Sequence, residues 1–399
     1  MAPLDAAAGK ARASQLGLRG AAFPWRTIDG DECSAYWPAG TAAFHIGADI
    51  AAAVLRYVRA TGDEDFDRDV GLDLLVETAR LWRSLGHYDR TGQFRIDGVT
   101  GPDEYSAISD DNVYTNLMAQ QNLRSAAEAA MRHPDREQAL GFDADELAQW
   151  RAAADAIHVC YDDSLGIHPQ SHGFTGHQEW DFERTSPDDY PLLLHFPYFD
   201  LYRKQVVKQA DLVLALQLRG DAFTAEEKRR NFDYYERLTV RDSSLSACTQ
   251  AVMAAEVGHL DLAYEYLCEA ARLDLADLEH NTRDGLHMAS LAGTWVALVN
   301  GFGGLRDHDG ALRFRPRLPG GLSRVAFTLL YRSQRLRVEI AGGEVTYSVV
   351  GGDVEIVHED ESLTVTSSDP VVRALPVPEV LDTPSQPPGR EPGRHAPGY

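Results

Sequence analysis

The chain has 399 residues, with 38 Lys or Arg against 61 Asp or Glu, so its formal net charge is −23 and its pI is near 4.9. Hydrophobic residues make up 44 % and charged residues 25 %, the balance of a folded chain with a large core and about two domains rather than a disordered or fibrous one. Strong acidity without a basic block argues against nucleic acid and against anionic membrane, and leaves small molecules as partners.

The four cysteines, Cys33, Cys160, Cys248 and Cys268, are far apart and fit neither a zinc nor a redox motif. The N-terminal residues lack the apolar stretch of a signal peptide, and no run of about 18 apolar residues occurs. A cytoplasmic protein without a metal or other cofactor is expected.

In chain order, the first feature is residues 21–50, where Phe23, Trp25, Tyr36, Trp37 and Phe44 gather around Pro and Gly. Aromatic faces stack on sugar rings, and they also fill cores. From about Thr41 to Asn300 apolar residues recur three and four apart, as in Ile46, Ile50, Val54 and Val58, which predicts about nine helices. Asp143 with Glu146, and Thr224 with Glu227, have capping-box spacing.

Residues 95–116, RIDGVTGPDEYSAISDDNVYTN, place Asp103, Glu104, Asp110 and Asp111 together beside Tyr105 and Tyr114. Crowded carboxylates raise one another's pKa and so suit general acid catalysis. The alternative is an acidic surface loop in which Asp111 caps the following helix. The stretch from Ser164 to Tyr198 is a long loop both aromatic and polar, as a binding loop would be.

Residues 206–216, VVKQADLVLAL, read as a buried helix interrupted by Lys208, Gln209 and Asp211. Three such groups suggest either a polar cavity for sugar hydroxyls or one solvated strip. In residues 239–252 and 281–295 an Arg-Asp pair precedes a helix start, with Ser243, Ser244 and Ser246 in the first and Gly285 and His287 in the second. Free N–H groups and hydroxyls there would cradle an anion; ordinary capping is the alternative.

After residue 303 the composition turns to short β-branched runs, VAFTLLY, LRVEI, VTYSVV and VEIVHE, which predict a small antiparallel β domain over 304–369. Residues 370–399 hold eight of the 19 prolines and are expected to be a disordered tail without a core.

Five ordered motifs resemble glycoside hydrolase family 65, the inverting phosphorylases and hydrolases of α-glucosides such as trehalose, maltose, kojibiose and nigerose. They are FPW at Phe23–Trp25, GPDEY at Gly101–Tyr105, KQAD at Lys208–Asp211, DSSLS at Asp242–Ser246 and GLHMASLAG at Gly285–Gly293. The resemblance runs from Ala7 to Asp353. It implies a mainly helical (α/α)6-barrel-like toroid over 1–303, N-terminally incomplete because the family's β-sandwich and first barrel helices have no counterpart, followed by the β domain. By this similarity Glu104 is the general acid, and Lys208, Gln209 and Trp25 hold the glucosyl unit. Ser243, Ser244 and His287 bind inorganic phosphate, the co-substrate. Two positions differ from the family pattern: Ser106 stands where His is frequent, and Asp111 where Asn is common.

One acid with an anion cradle favours phosphorolysis over hydrolysis, which needs a second carboxylate to activate water. An acid between Glu179 and Asp189 would have to supply it. The implied partners are a disaccharide and phosphate, with either self-association or a further N-terminal portion covering apolar surface. An inactive carbohydrate-binding remnant is the alternative from another functional class.

Overall fold

The computed structural model describes residues 6–28, 31–34, 37–308, 310–377, 379 and 381–392. The chain forms two compact units, Met1–His177 and Gln178–Tyr399. Tyr36 and residues 393–399 lie outside the described residues.

The first unit is helical: α1 (Ala6–Gln15), α2 (His45–Thr61), α3 (Leu72–Leu85), α4 (Val113–Arg132) and α5 (Ala144–Ala156). Local chemistry sets several ends. Gly62 closes α2 in the left-handed conformation, φ 70°, and Asp143 caps α5 by accepting from the Glu146 N–H at 2.8 Å. Helix α4 packs against α2, α3 and α5, and its Asn122 accepts a hydrogen bond of 3.0 Å from the buried indole of Trp82. The long connection from α3 to α4, residues 86–112, carries the acidic motif on this packed base.

Helix α4 is capped by Asn112, whose side chain accepts from the Thr115 N–H at 3.0 Å. The cap expected at Asp111 is therefore one residue early. Asp111 instead adopts φ 47° and turns its buried carboxylate to Arg95 Nε at 2.7 Å.

In the second unit, α6 (Asp211–Leu218), α7 (Ala225–Glu236), α8 (Ser246–Val257), α9 (Leu260–Arg272) and α10 (Met288–Val296) precede the sheets. The capping box of α7 forms as its spacing predicts, with Thr224 N–H to Glu227 at 2.7 Å and the return bond at 3.2 Å. The helix expected over 206–216 begins only at Asp211. Val207 pairs in parallel with Thr239, so residues 208–210 form a bend, and Lys208 and Gln209 stand half-buried ahead of the helix rather than on it. Helices α8 and α10 approach closely at Gly293, where a Cβ would come within 2.5 Å of Cys248 Sγ. One face of α10 leaves Met288, Leu291 and Trp295 exposed.

The β domain has strands β1 (Leu312–Phe314), β2 (Arg324–Tyr331), β3 (Gln334–Ala341), β4 (Glu344–Val350), β5 (Val354–His358), β6 (Glu361–Val365) and β7 (Val371–Ala374). They form a sheet of order β7-β4-β3-β2 and another of order β6-β5-β1. Alternation buries one side of β4, with Val345, Tyr347 and Val349 joining Leu336, Val338, Ile340, Ile356 and Phe314 in a common core. Pairing is antiparallel except between β1 and β5, where Ile356 opposes Leu312 in parallel.

Among the described residues, 370–377 and 381–392 are not the structureless tail their composition predicts, while 393–399 lie outside the described residues. Strand β7 pairs with β4. Further on, Gln386 Nε2 donates to Glu236 Oε1 at 2.6 Å and to Tyr266 OH at 2.7 Å, and Arg390 donates to Asp242 Oδ1 at 2.9 Å. Composition measures the core a segment could build by itself; this one borrows partners from α7, α9 and the turn before α8.

Candidate active site

In the first unit, Glu104 is nearly buried on the 86–112 connection. The connection is tied down on both sides of it. Buried His45, at the start of α2, places Nδ1 3.1 Å from the Thr100 carbonyl, so that nitrogen carries the proton. Burial lowers the His45 pKa and leaves the ring neutral. Asp103 is fully buried, accepting from the Tyr105 N–H at 3.1 Å and from Gln170 Nε2 at 2.8 Å, and the same amide lies 3.0 Å from Ser106 Oγ.

Arg26 NH2 lies 3.3 Å from Glu104 Oε1, and its guanidinium stacks 4.1 Å above the Trp25 ring. Trp25 also packs edge-on against Trp37, with centroids 5.4 Å apart. The Trp25 N–H is held by Glu32 Oε2 at 3.1 Å. Burial opposes the charge on Glu32, but bonds from Ser34, Arg12 and Trp25 bring its pKa down to about 2. Two residues singled out in distant motifs, Trp25 and Glu104, thus meet through Arg26.

The crowding of carboxylates expected from the sequence takes another form here. Asp103 is turned to Gln170, Asp110 accepts from the Gly98 N–H at 2.9 Å, and Asp111 is paired with Arg95. Each acid has a donor of its own.

In the second unit, Ser243 Oγ donates to Gln209 Oε1 at 2.7 Å and accepts from the Leu245 N–H at 3.3 Å. Ser246 Oγ donates to the Lys208 carbonyl at 3.1 Å. The KQAD and DSSLS motifs therefore form one local structure, with Ser244 half-buried at the turn into α8. Asp242 anchors that turn, accepting from the Leu192 N–H at 2.8 Å as well as from Arg390.

His287 stands at the start of α10, its Nδ1 2.6 Å from Asp274 Oδ1 and its N–H 2.9 Å from Asp274 Oδ2. A carboxylate on Nδ1 fixes the orientation of the ring. Glu279 joins the two helix starts electrostatically. Burial raises its pKa, Arg390 and His287 lower it, and Asp242 raises it further.

Of the five carboxylates between Glu179 and Asp189, Glu179 pairs with Arg237 at 2.8 Å, and Asp189 accepts from the Ser186 N–H at 3.0 Å in a capping box. Among the described residues one group could hold a metal, Asp111, Cys160 and His172, whose ligand atoms lie within 4.8 Å of one another. The Asp111 carboxylate is already paired, and burial pushes the Cys160 thiol to about 12, so this trio offers a metal little free charge. No helix among the described residues is long and apolar enough to cross a membrane.

Sequence reasoning did not find Arg26, Gln170, Asp274 or Arg390. Arg26 adjoins the FPW motif, and Gln170 lies in the loop read as a binding loop; Asp274 and Arg390 carry no local signal.

Residues 2–296 match the glycosyl hydrolase family 65 central catalytic domain, and residues 305–365 match the family 65 C-terminal domain. An uncharacterized glycosyl hydrolase of Mycobacterium leprae is 58 % identical over 387 residues, covering 96 % of this chain and 49 % of its own. The α,α-trehalose phosphorylase of Thermoanaerobacter brockii is 43 % identical over 371 residues, covering 90 % and 48 %. A solved structure described as a kojibiose phosphorylase from the human microbiome superimposes with a TM-score of 0.86 at 26 % identity, covering 94 % of this chain and 56 % of that one. The chain thus spans about half the length of the curated relatives it matches. With its catalytic and C-terminal domains both accounted for, the chain belongs to glycosyl hydrolase family 65.

Proposed function

We propose that this chain performs inverting phosphorolysis of an α-glucosidic disaccharide, giving β-glucose 1-phosphate and a free sugar. The observation that carries this reading is the 2.7 Å bond from Ser243 to Gln209, which joins the residue assigned to phosphate with a residue assigned to the glucosyl unit. A phosphorylase must place its nucleophile beside the anomeric carbon, and a shared hydrogen bond is an economical way to hold both.

Glu104 donates its proton to the glycosidic oxygen as the bond to the anomeric carbon breaks. A phosphate oxygen, oriented by Ser243, Ser244 and His287, bonds to that carbon from the opposite face. The phosphoryl group's own proton, passed through solvent, restores Glu104. Lys208 and Gln209 hold the glucosyl hydroxyls, and Trp25 offers a ring face to the sugar.

Two α,α-trehalose phosphorylases are 43 % and 45 % identical, against 34 % for a maltose phosphorylase and 33 % for a kojibiose phosphorylase. Trehalose is accordingly the first substrate to test. The chain is incubated with trehalose, maltose, kojibiose and nigerose, with and without phosphate, and sugar phosphate is measured. Turnover that requires phosphate supports the proposal. Turnover indifferent to phosphate makes the chain a hydrolase, and binding without turnover makes it a carbohydrate-binding protein.

A further inference from the structure

The second unit contains a cavity of about 460 Å³, within the roughly 300–1,000 Å³ of small-molecule sites. It is built from the start of α7, the end of α8, the turn after α10 and the approach to β1. In a chain of charge −23 its lining is basic: Lys228, Arg229, Arg306, Arg313, Arg315 and Arg317, with Glu256 and Asp221 as the acids. None of the motifs assigned to sugar or phosphate reaches it.

The inner charges do not cancel. Glu256 is shared by two cations, Lys228 at 2.7 Å and Arg306. Burial opposes its ionisation, yet Arg306 and Lys228 hold its pKa at about 2. Arg317 and Arg315 have partners at the rim, Glu359 at 2.7 Å and Asp360 at 3.0 Å, as has Arg229 in Glu379 at 3.3 Å. Exposed pairs of this kind contribute little and yield readily to a stronger anion.

Two buried nitrogens in the lining have no hydrogen-bond partner among the described residues, Arg306 Nε and His308 Nε2. Buried polar atoms without partners are uncommon and costly. His308 Nε2 and Lys228 Nζ converge above Gly220, where a Cβ would lie 3.1 Å from the imidazole and 2.9 Å from the ammonium. Glycine there leaves the imidazole and the ammonium room to face one small anionic group. His308 Nδ1 lies 3.9 Å from Asp221 Oδ1, and burial together with Arg306 lowers its pKa against the pull of Asp221, so the ring is a polar, uncharged part of the lining. Phe223, Ala225 and Val257 supply an apolar wall.

We propose that this cavity is a binding site for a phosphate monoester, a small metabolite whose phosphoryl group meets Lys228, Arg306 and His308 and whose body fills the remainder. Guanidinium and ammonium donors suit phosphate oxygens, and the volume exceeds what inorganic phosphate needs. A sugar phosphate and a nucleoside monophosphate share this chemistry.

The test is calorimetric titration of the full chain with glucose 6-phosphate, with adenosine monophosphate and with uncharged glucose, together with amide exchange. Saturable binding of either ester is expected, with protection concentrated in residues 219–229 and 300–317. Whichever ester binds more tightly identifies the body. R313E should weaken binding at least tenfold, and H308L, which keeps every arginine and their ion pairs, should weaken it by several fold. Circular dichroism establishes that each variant is folded. The proposal is overturned by the absence of saturable binding at millimolar ester, by protection outside those segments, by equal binding of glucose, or by folded variants that bind as the parent chain does.

Discussion

Arg390→Ala tests whether the Pro-rich segment is part of the fold. In the structure Arg390 donates to Asp242 Oδ1 at 2.9 Å, where the Asp242 side chain is 1 % exposed and the Arg390 side chain 16 %. It also donates to the Val240 carbonyl at 2.7 Å and stacks 4.5 Å over Tyr190. Removing one partner of a buried pair costs about 3–5 kcal/mol, because a charge is left behind. Asp242 keeps the Leu192 N–H, so the lower end, about 3 kcal/mol, is expected. For a unit of this size that lowers the melting temperature by about 6–12 °C. Asp242→Asn combined with Arg390→Ala should recover part of the loss, since no unpaired carboxylate remains. Differential scanning calorimetry of the single and double variants provides the measurement. A shift of under about 2 °C in the single variant would return the segment to the dispensable tail its composition predicts.

Glu104→Gln keeps size and hydrogen bonding but removes the transferable proton, so kcat on an unactivated disaccharide should fall at least about 10²-fold. Phosphorolysis of α-glucosyl fluoride should be spared, and equal loss of both substrates would exclude Glu104 as the acid. Ser244→Ala should raise the phosphate KM with little change for sugar, whereas Ser243→Ala should raise both, because Ser243 also holds Gln209; the loss of one hydroxyl to a charged ligand, about 1.5–3 kcal/mol, predicts a change of roughly tenfold or more. Gln170→Ala leaves buried Asp103 without its amide donor, and a stability loss of about 1–3 kcal/mol should accompany a fall in kcat, measured by denaturant titration and steady-state kinetics; a fall in neither removes Gln170 as a support of the acid loop. Glu256 has a folded-state pKa of about 2 against 4.5 unperturbed, so its contribution is present above pH 4.5 and disappears as pH falls toward 2; screened by the solvent that reaches the pair, it amounts to about 1 kcal/mol, and Glu256→Gln should flatten the acid side of the stability–pH profile.

What the sequence revealed was local chemistry. The Thr224–Glu227 box, the Asp143 cap and the alternation in β4 depend on neighbours a few residues away, and periodicity or spacing reads them directly. The run at 206–216 misleads because an apolar stretch suits a buried strand as well as a helix; the parallel pairing of Val207 with Thr239 decides it, and nothing local announces that pairing. Asp111 misleads because an acid before a helix reads as a cap, while its partner Arg95 lies 16 residues back. The motif positions were legible at the site, but the residues that hold them, Arg26 on Glu104, Gln170 on Asp103 and Asp274 on His287, become visible only when the chain is folded.

The clasp formed by Arg390 has a kinetic side. Ser243 and Gln209 are 34 residues apart, whereas Arg390 and Asp242 are 148 apart. If both loops closed from the unfolded chain, the longer would cost about 1.3 kcal/mol more in entropy, and contacts of such separation slow folding. Helices α6–α8 can therefore assemble the Lys208–Ser246 cluster early from near neighbours, while the turn at Asp242 waits for a distant segment to arrive. During that wait Asp242 lacks its guanidinium and Glu236 lacks the Gln386 amide. Cleavage of the chain before Arg390 would therefore remove the latch from a turn whose bond between Ser243 and Gln209 closes a much shorter loop.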